Sequence, residues 1–446
     1  MQGLQNALAY TNVYPTITSQ PSFSRRWRGP KGFGTRHVND DIPFSLWDEH
    51  SATFRPASRT EMSYIGERYN AERVTFYEWI LVVETCNPPK PVPLTVAGMP
   101  VHFVPPGDCG YVDLYGLAPY PSRRIADPCP HVSWDKRQSP TKEQMCAVIA
   151  AVSELAHIRR VNFLPAAIVV ELEHGDNKDY SRKSLPGTVA NRATTYHHGI
   201  GSFVSSVRNH ARERLLDPAG YVSGPLPQDP TDYINEPNWS ILSPGMRISP
   251  GYTADTGVSL STTSGIILRK GENCYVTVSN HGFPNTEEVF HPTPSGEKIG
   301  HIVDRYPELD IAMVRLTPAN ADRYINRAYF QADAPRRFAE ASDMVPGSWF
   351  EVDGMSTGLL SLLYCGRSME RPPGHPPIPV DVDQWQQKNL FNVFGATNPE
   401  LIEGMCGPPL VEQGTGLVAG FFHLAVGDWV ECAVLDDLVA EGWQVG

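Results

Sequence analysis

The chain of 446 residues is long enough for two domains, and its composition, 41% hydrophobic and 19% charged, is that of a globular protein. Its net charge of −12 disfavours a phosphate backbone as the main partner, so we do not expect nucleic-acid binding. No apolar run reaches the roughly 18 residues that cross a bilayer, and the N-terminus lacks the apolar core of a signal peptide. We therefore expect a soluble, cytoplasmic protein without a membrane partner.

Residues 1–40 are predicted to form a flexible tail. The first 39 positions contain no acidic residue but carry five basic ones, namely Arg25, Arg26, Arg28, Lys31 and Arg36. This composition is weakly similar to that of an organellar transit segment, which is the minor alternative.

Residues 41–221 are predicted to form a mixed α/β domain. The stretches Glu72 to Cys86 and Pro93 to Pro106 are rich in β-branched and aromatic residues and predict strands. Residues Ser139 to Ile158 predict a helix, because candidate caps and a proline precede apolar residues at helical spacing. Phe163 to Glu173 then predicts a buried strand. No phosphate-binding loop or paired acid motif is present, so the role of this domain stays open.

A proline-rich and polar passage over residues 222–245 predicts a linker, because neither helical nor strand periodicity persists there. Beyond it, residues 246–446 consist of short apolar runs separated by turn residues about every ten positions. This pattern, together with 41 prolines and 37 glycines in the chain, predicts a β-sandwich or a pair of barrels. The fold class is therefore multidomain α+β, with a C-terminal all-β domain.

The cysteines predict free thiols rather than a disulfide framework. Eight of them are scattered over a long chain, at positions 86, 109, 129, 146, 274, 365, 406 and 432. A reducing compartment fits this distribution. The sequence contains neither a C-x-x-C pair nor an HExxH motif, so we expect no metal site and no cofactor.

Three residues of the C-terminal half suit nucleophilic catalysis by a thiol. Such catalysis requires a base, a group that orients the base, and backbone N–H donors for the developing oxyanion. His281 follows an apolar strand and Asp310 precedes another, so each can be fixed at a strand end. Cys406 lies in the turn "GMCGPP", where Gly404 and Gly407 allow backbone N–H groups to point inward. Asp304 is a nearby substitute for Asp310.

The apolar strand before His281, the "DIA" run at Asp310 and the G-x-C-G turn at Cys406 together resemble the chymotrypsin-like peptidases, over residues 249–446 only. The cysteine resembles that of the viral members of this fold. The resemblance implies two six-stranded β-barrels with a Cys-His-Asp triad in the cleft between them. It also implies an oxyanion hole formed by the amides of Gly404 and Cys406, a covalent thioacyl-enzyme and a polypeptide substrate. The expected activity is that of an intracellular cysteine endopeptidase.

The same resemblance gives two conflicting indications of the substrate-binding residues. Glu400 lies six positions before Cys406, where trypsin-like members place an acid that binds arginine or lysine. His423 lies on the "GFFHL" strand, where members specific for glutamine or glutamate place a histidine, and we favour it slightly. Met405 replaces the aspartate that pairs with a new N-terminus in zymogen-activated members, so activation of that kind is not expected.

A second function class stays open, namely a catalytically inactive scaffold of protease-like fold that acts as a protein-interaction module. Whether Cys406 is accessible and ionised distinguishes the two classes. The natural substrate, the oligomeric state and any self-cleavage are left open by the sequence.

Overall fold

A computed structural model of the chain describes the following residues: 42–48, 53–77, 80–86, 89, 93, 95–104, 125–135, 138–164, 167–173, 185–198, 242–250, 262–284, 286–292, 294–326, 332–354, 360–372, 374, 381–394, 405–426 and 429–446. The predicted flexible tail (1–40) and most of the predicted linker lie outside them. The predicted division into domains therefore stays a prediction.

The N-terminal half begins with a small α/β unit. Its elements are β1 (Trp47–Asp48), β2 (Thr53–Phe54), α1 (Arg59–Arg68), β3 (Arg73–Tyr77), β4 (Ile80–Glu84), β5 (Thr95–Val96) and β6 (Met99–Val104). The sheet has the order β3-β4-β6-β5, with β4 and β6 parallel. The apolar faces of these strands and of α1 share one core, which includes Ile65, Leu81 and Phe103. The strands predicted over 72–86 and 93–106 are thereby confirmed.

The second part of this half contains the predicted helix and strand. Its elements are α2 (Lys142–Ser153), β7 (Ile158–Phe163), β8 (Ala167–Leu172), β9 (Thr188–Val189) and β10 (Arg192–His198). The helix is shorter than predicted and begins at Lys142, directly after the N-cap Thr141, whose side chain forms a capping box with Gln144. The other candidate cap, Ser139, lies 2.6 Å from the Tyr364 hydroxyl of the C-terminal half. This serine therefore connects the two halves.

The first barrel of the C-terminal half is nearly closed. Its elements are β11 (Arg247–Ile248), β12 (Thr262–Thr263), β13 (Ile267–Lys270), β14 (Asn273–Ser279), β15 (Glu288–His291), β16 (Glu297–Tyr306), a 3-10 turn (Pro307–Leu309), β17 (Ile311–Leu316) and α3 (Pro318–Ala321). The main sheet has the order β15-β16-β17-β14-β13, and β11 pairs with β12. Because Ser249 beside β11 bridges Phe290 in β15, the sheet curls around one apolar core.

The second barrel contains the remaining strands. Its elements are β18 (Arg337–Phe338), β19 (Trp349–Val352), β20 (Leu360–Glu370), a 3-10 turn (Val382–Gln384), β21 (Gln386–Phe394), β22 (Pro409–Glu412), β23 (Leu417–Phe421), β24 (Leu424–Val426) and β25 (Trp429–Ala433). The order β18-β23-β22-β19-β20-β21-β25-β24 surrounds a core that includes Phe350, Tyr364 and Phe391. After it, α4 (Asp436–Ala440) leads to β26 (Gln444–Val445), which returns to pair with β13 of the first barrel. The predicted all-β character of this half is confirmed, apart from these short helices.

The two halves share one sheet. Strand β7 pairs antiparallel with β20, so that Arg160 lies opposite Glu370 and Phe163 lies opposite Arg367. The twelve-stranded sheet therefore runs from the N-terminal strands β7 to β10 into the second barrel. Among the described residues, no helix is both long enough and apolar enough to span a bilayer.

Candidate functional site

His281 and Asp310 lie together because two neighbouring strands end at the same place. In the antiparallel pair β14–β17, Ser279 at the end of β14 is opposite Ile311 at the start of β17. The next residues along each strand continue this pairing, since the Asn280 amide donates to the Asp310 carbonyl at 2.9 Å. A residue just after β14 and one just before β17 therefore share one rim of the first barrel. The hydrogen-bond register of β14 and β17 therefore determines how His281 and Asp310 lie relative to each other.

The Asp310 carboxylate is held by the backbone and by the ring of His281. The Nδ1 atom of His281 lies 2.5 Å from Asp310 Oδ2, and the His281 amide donates to Oδ1 at 2.9 Å. Asp310 itself has a left-handed backbone (φ 54°), which aspartate adopts more readily than most residues. Its amide donates to the carbonyl of Pro307, the first residue of the 3-10 turn that Asp310 ends. The 3-10 turn therefore orients the Asp310 carboxylate toward the His281 ring.

Cys406 and His423 lie together for the same kind of reason. In the hairpin β22–β23, Pro409 is opposite Phe421, and the Gly407 amide extends the pairing by donating to the Phe422 carbonyl at 2.8 Å. The residues at the two ends of this hairpin therefore face each other. The Cys406 thiol lies 3.4 Å from the His423 carbonyl oxygen.

Hydroxyl-bearing residues of the first barrel connect the His281–Asp310 pair with the Cys406–His423 pair. The Cys406 carbonyl accepts from the Thr263 amide at 3.1 Å and from the Thr262 hydroxyl at 2.6 Å. The Thr262 hydroxyl also lies 3.0 Å from that of Ser279, two residues before His281. Sequence reasoning missed Thr262 and Ser279. The signal for Thr262 is the hydroxyl-rich run "STTS" at 261–264, which by itself does not indicate contact with Cys406, and Ser279 has no comparable signal.

The surroundings of His281 favour its protonated form. Burial by itself would lower the pKa of the imidazole, but the charges of Asp310 and Cys406 outweigh it and raise the pKa well above its ordinary value. Hydrogen bonds of the ring to both groups add to this shift. Since Nδ1 is occupied by Asp310, the nitrogen that faces the thiol is Nε2. A thiol with an imidazole on one side can transfer its proton to that nitrogen.

His423 contributes its side chain as well as its carbonyl. Its Nδ1 atom lies 2.6 Å from Asp310 Oδ2, the same oxygen that faces His281. The two imidazole rings meet edge to face with centroids 5.6 Å apart. Burial by itself would raise the pKa of Asp310, but the charges of His281 and His423 outweigh it and hold the pKa well below its ordinary value. Asp310 therefore stays ionised between the two rings.

The three residues His281, Asp310 and His423 are also the group that could hold a metal ion among the residues that the structure describes. One ligand atom from each lies within 4.8 Å of the others. In the structure, however, both Nδ1 atoms are at hydrogen-bonding distance from Asp310 Oδ2, which leaves no room for an ion between them. In this arrangement the Asp310 carboxylate accepts a hydrogen bond from each of the two imidazoles.

Of the remaining sequence-predicted residues, the structure describes Asp304 but not Glu400 or Gly404. Glu400 and Gly404 are outside the described residues, so a substrate-binding role for the first and an oxyanion role for the second stay predictions. Asp304, the substitute for Asp310, is directed away from the site, because its carboxylate accepts from the Arg305 amide and from the Tyr306 hydroxyl.

Gly407 fixes the turn that follows Cys406. Its φ is +115°, and an added Cβ would lie 2.2 Å from the Thr263 carbonyl oxygen. We expect Gly407→Ala to lower the unfolding free energy by about 3 kcal/mol or more, because a strained backbone of about 1–3 kcal/mol is combined with a clash. Gly271→Ala is the matched control, since its φ is +63° but no atom lies within 4 Å of the added Cβ. Equal losses for the two variants in urea unfolding would contradict this assignment.

Comparisons with known proteins give similarity in structure only. No protein-family model matches the chain, and no curated protein matches it. Solved structures match about half of it. A glutamic acid-specific serine protease with a histidine triad in substrate binding is 14% identical and covers 46% of this chain and 100% of its own, with a TM-score of 0.32. Protease A of Thermobifida fusca is 16% identical and covers 46% and 98%, with a TM-score of 0.32. A protease of M. tuberculosis in its active form is 14% identical and covers 49% and 87%, with a TM-score of 0.31.

Proposed function

We propose that the protein is an endopeptidase that cleaves peptide bonds with Cys406 as nucleophile, His281 as base and Asp310 as the group that orients the base. The observation that carries this proposal is the position of the His281 ring. Its Nδ1 atom lies 2.5 Å from an ionised carboxylate, and the ring is near enough to Cys406 for that residue to help raise the pKa of the imidazole. A structural cysteine gains nothing from such a neighbour, whereas a nucleophile requires it.

The reaction proceeds in two halves. His281 Nε2 accepts the Cys406 proton, the sulfur attacks the carbonyl carbon, and the carbonyl π electrons move onto the oxygen. The tetrahedral intermediate collapses as His281 donates that proton to the leaving amine, and a thioester remains on Cys406. Water then gives a proton to His281 and attacks the thioester, and the returned proton restores the thiol. Asp310 keeps Nδ1 protonated throughout, so that Nε2 is the nitrogen that exchanges the proton.

The oxyanion of each intermediate requires fixed donors near the sulfur. We assign this role to the amides of Cys406 and Gly404, the second of which precedes the described turn. The Cys406 carbonyl is fixed by its two bonds to Thr262 and Thr263, so the peptide unit that follows the nucleophile is held next to the unit that carries the Cys406 amide. Fixed donors of this kind need little rearrangement during a reaction.

A neighbouring strand offers a place for an extended peptide. Strand β24 begins directly after His423 and, among the described strands, pairs with β25 alone. An extended substrate can add to its second edge through backbone hydrogen bonds. This mode of binding depends on the main chain of the substrate, which suits a polypeptide more than a small ester.

The proposal is tested by digestion of a mixed peptide library with the full-length chain, followed by mass spectrometry. We expect cleavage that iodoacetamide abolishes and that a serine-directed fluorophosphonate does not. Inhibition by the fluorophosphonate alone would identify a serine nucleophile. No cleavage, together with slow alkylation of Cys406, would favour the inactive scaffold.

A further inference from the structure

A single oxygen of Asp310 is shared by two imidazoles. Its Oδ2 atom lies 2.5 Å from Nδ1 of His281 and 2.6 Å from Nδ1 of His423. An ionised carboxylate only accepts hydrogen bonds, so both Nδ1 atoms must carry a proton. The second oxygen, Oδ1, accepts from the His281 amide at 2.9 Å. The carboxylate is therefore held by three donors, one of which comes from the second barrel.

We propose that His423 is a positioning residue that fixes the Asp310 carboxylate through its Nδ1–H group, and thereby the orientation of His281. This inference rests on the proposed peptidase function and adds a fourth side chain to it. Without the His423 donor, Oδ2 would keep only the bond to His281, and the carboxylate would lose its contact with the second barrel. Small misplacements of a base cost about 100-fold in rate, so the contact bears on turnover more than on substrate affinity.

His423 also connects Asp310 with the nucleophile. Its carbonyl lies 3.4 Å from the Cys406 thiol, while its ring lies on Asp310. One residue of the β23–β24 segment therefore contacts both the nucleophile and the orienting acid. The carbonyl belongs to the backbone, so a substitution of the side chain removes the contact with Asp310 and leaves the contact with Cys406.

The competing role for His423 is substrate binding, as the resemblance implies. The two roles use different nitrogens, because Nδ1 faces Asp310 and only Nε2 is left for a substrate. Asparagine places an N–H group at the position of Nδ1, whereas glutamine places one near the position of Nε2. The pair His423→Asn and His423→Gln therefore separates positioning from substrate recognition.

The experiment compares kcat and KM of the full-length chain and these two variants on one peptide substrate. We expect His423→Gln to lower kcat about 10- to 100-fold with KM within about threefold, and His423→Asn to recover most of that loss. His301→Asn, at an exposed position of β16, controls for the loss of an imidazole. The proposal is overturned if Gln preserves kcat/KM while Asn raises KM, because Nε2 would then bind the substrate. It is also overturned if neither variant changes kcat.

A second readout does not depend on cleavage. The rate of Cys406 alkylation by iodoacetamide at pH 6, mapped by mass spectrometry, reports the thiolate that His281 stabilises. We expect the same order, with wild type and His423→Asn faster than His423→Gln, and with exposed Cys274 as the internal reference. If the chain cleaves no peptide but this order holds, the proposed function fails and the positioning role stands. Equal alkylation rates in all three proteins would overturn the positioning role itself.

Discussion

Replacing Cys406 with alanine should lower kcat/KM for peptide hydrolysis by about 10⁴-fold or more, because no other group can form the thioester. The thiol contributes little to folding, since Cys406 is only partly buried and its contact with the His423 carbonyl, at 3.4 Å, is a weak one. The unfolding midpoint of the variant should therefore stay near that of the wild type. Initial rates on a peptide substrate and a thermal scan check both expectations.

Further variants make this result specific. Cys274→Ala removes an exposed cysteine of the first barrel and should leave the activity unchanged. His281→Ala should lose nearly as much activity as Cys406→Ala, and the double variant should lose little more, because the two side chains act as one unit. Cys406→Ser should keep at most a trace of activity. Equal activity of wild type and Cys406→Ala would reject Cys406 as the nucleophile.

Replacing Arg160 with alanine should lower the unfolding free energy by about 3–5 kcal/mol, the cost of leaving buried charges without their partner. The Arg160 guanidinium, which is 7% exposed, lies 2.5 and 2.8 Å from the two carboxylate oxygens of Glu431 and 2.9 Å from Glu370. Lys388 contacts both acids from the next strand, so two cations neutralise two anions. Without Arg160, the two carboxylates would share one lysine. Urea unfolding followed by tryptophan fluorescence measures the loss.

Arg159→Ala is the matched control for this change. Arg159 is 22% exposed and lies 3.7 Å from Glu171 and from Glu370, so its loss should cost about 1 kcal/mol or less. If Arg160→Ala were no more destabilising than Arg159→Ala, the buried cluster would not hold β7 to β20.

The same cluster has a pH dependence of defined sign. Burial by itself would raise the pKa values of Glu370 and Glu431, but Arg160 and Lys388 outweigh it and lower both. A carboxyl whose pKa is lower in the folded state stabilises the fold above its unfolded pKa of about 4.3 and loses that contribution as the pH falls below it. The difference in stability between wild type and Arg160→Ala should therefore be largest near neutral pH and shrink in acid.

The catalytic candidates could be predicted because the ends of apolar runs in the sequence indicate where strands end. His281 follows the apolar run of β14 and Asp310 precedes that of β17, and the order of the residues fits antiparallel neighbours. The glycines around Cys406 indicated a tight turn, and Gly407 indeed has a positive φ. These signals are local, since each depends on residues within a few positions of the candidate.

The contacts across the barrels could not be predicted in the same way. The sequence associated His423 with substrate, whereas the structure brings its Nδ1 atom to Asp310, 113 positions away. Thr262 reaches the Cys406 carbonyl from 144 positions away. The sequence likewise did not predict β7, which lies largely between the predicted helix and the predicted strand, or its pairing with β20. Such contacts depend on how separate apolar faces pack.

The sequence by itself determined several of the strands, the helix α2, the turn at Cys406 and the order of the three catalytic candidates, because side-chain periodicity, capping and backbone freedom act over a few residues. Only the tertiary structure decided which strand ends face each other and which hydroxyls hold the Cys406 turn. It also decided that one oxygen of Asp310 serves two histidines. Those choices follow from the burial of apolar surface and the register of hydrogen-bonded strands, and both are properties of the whole chain.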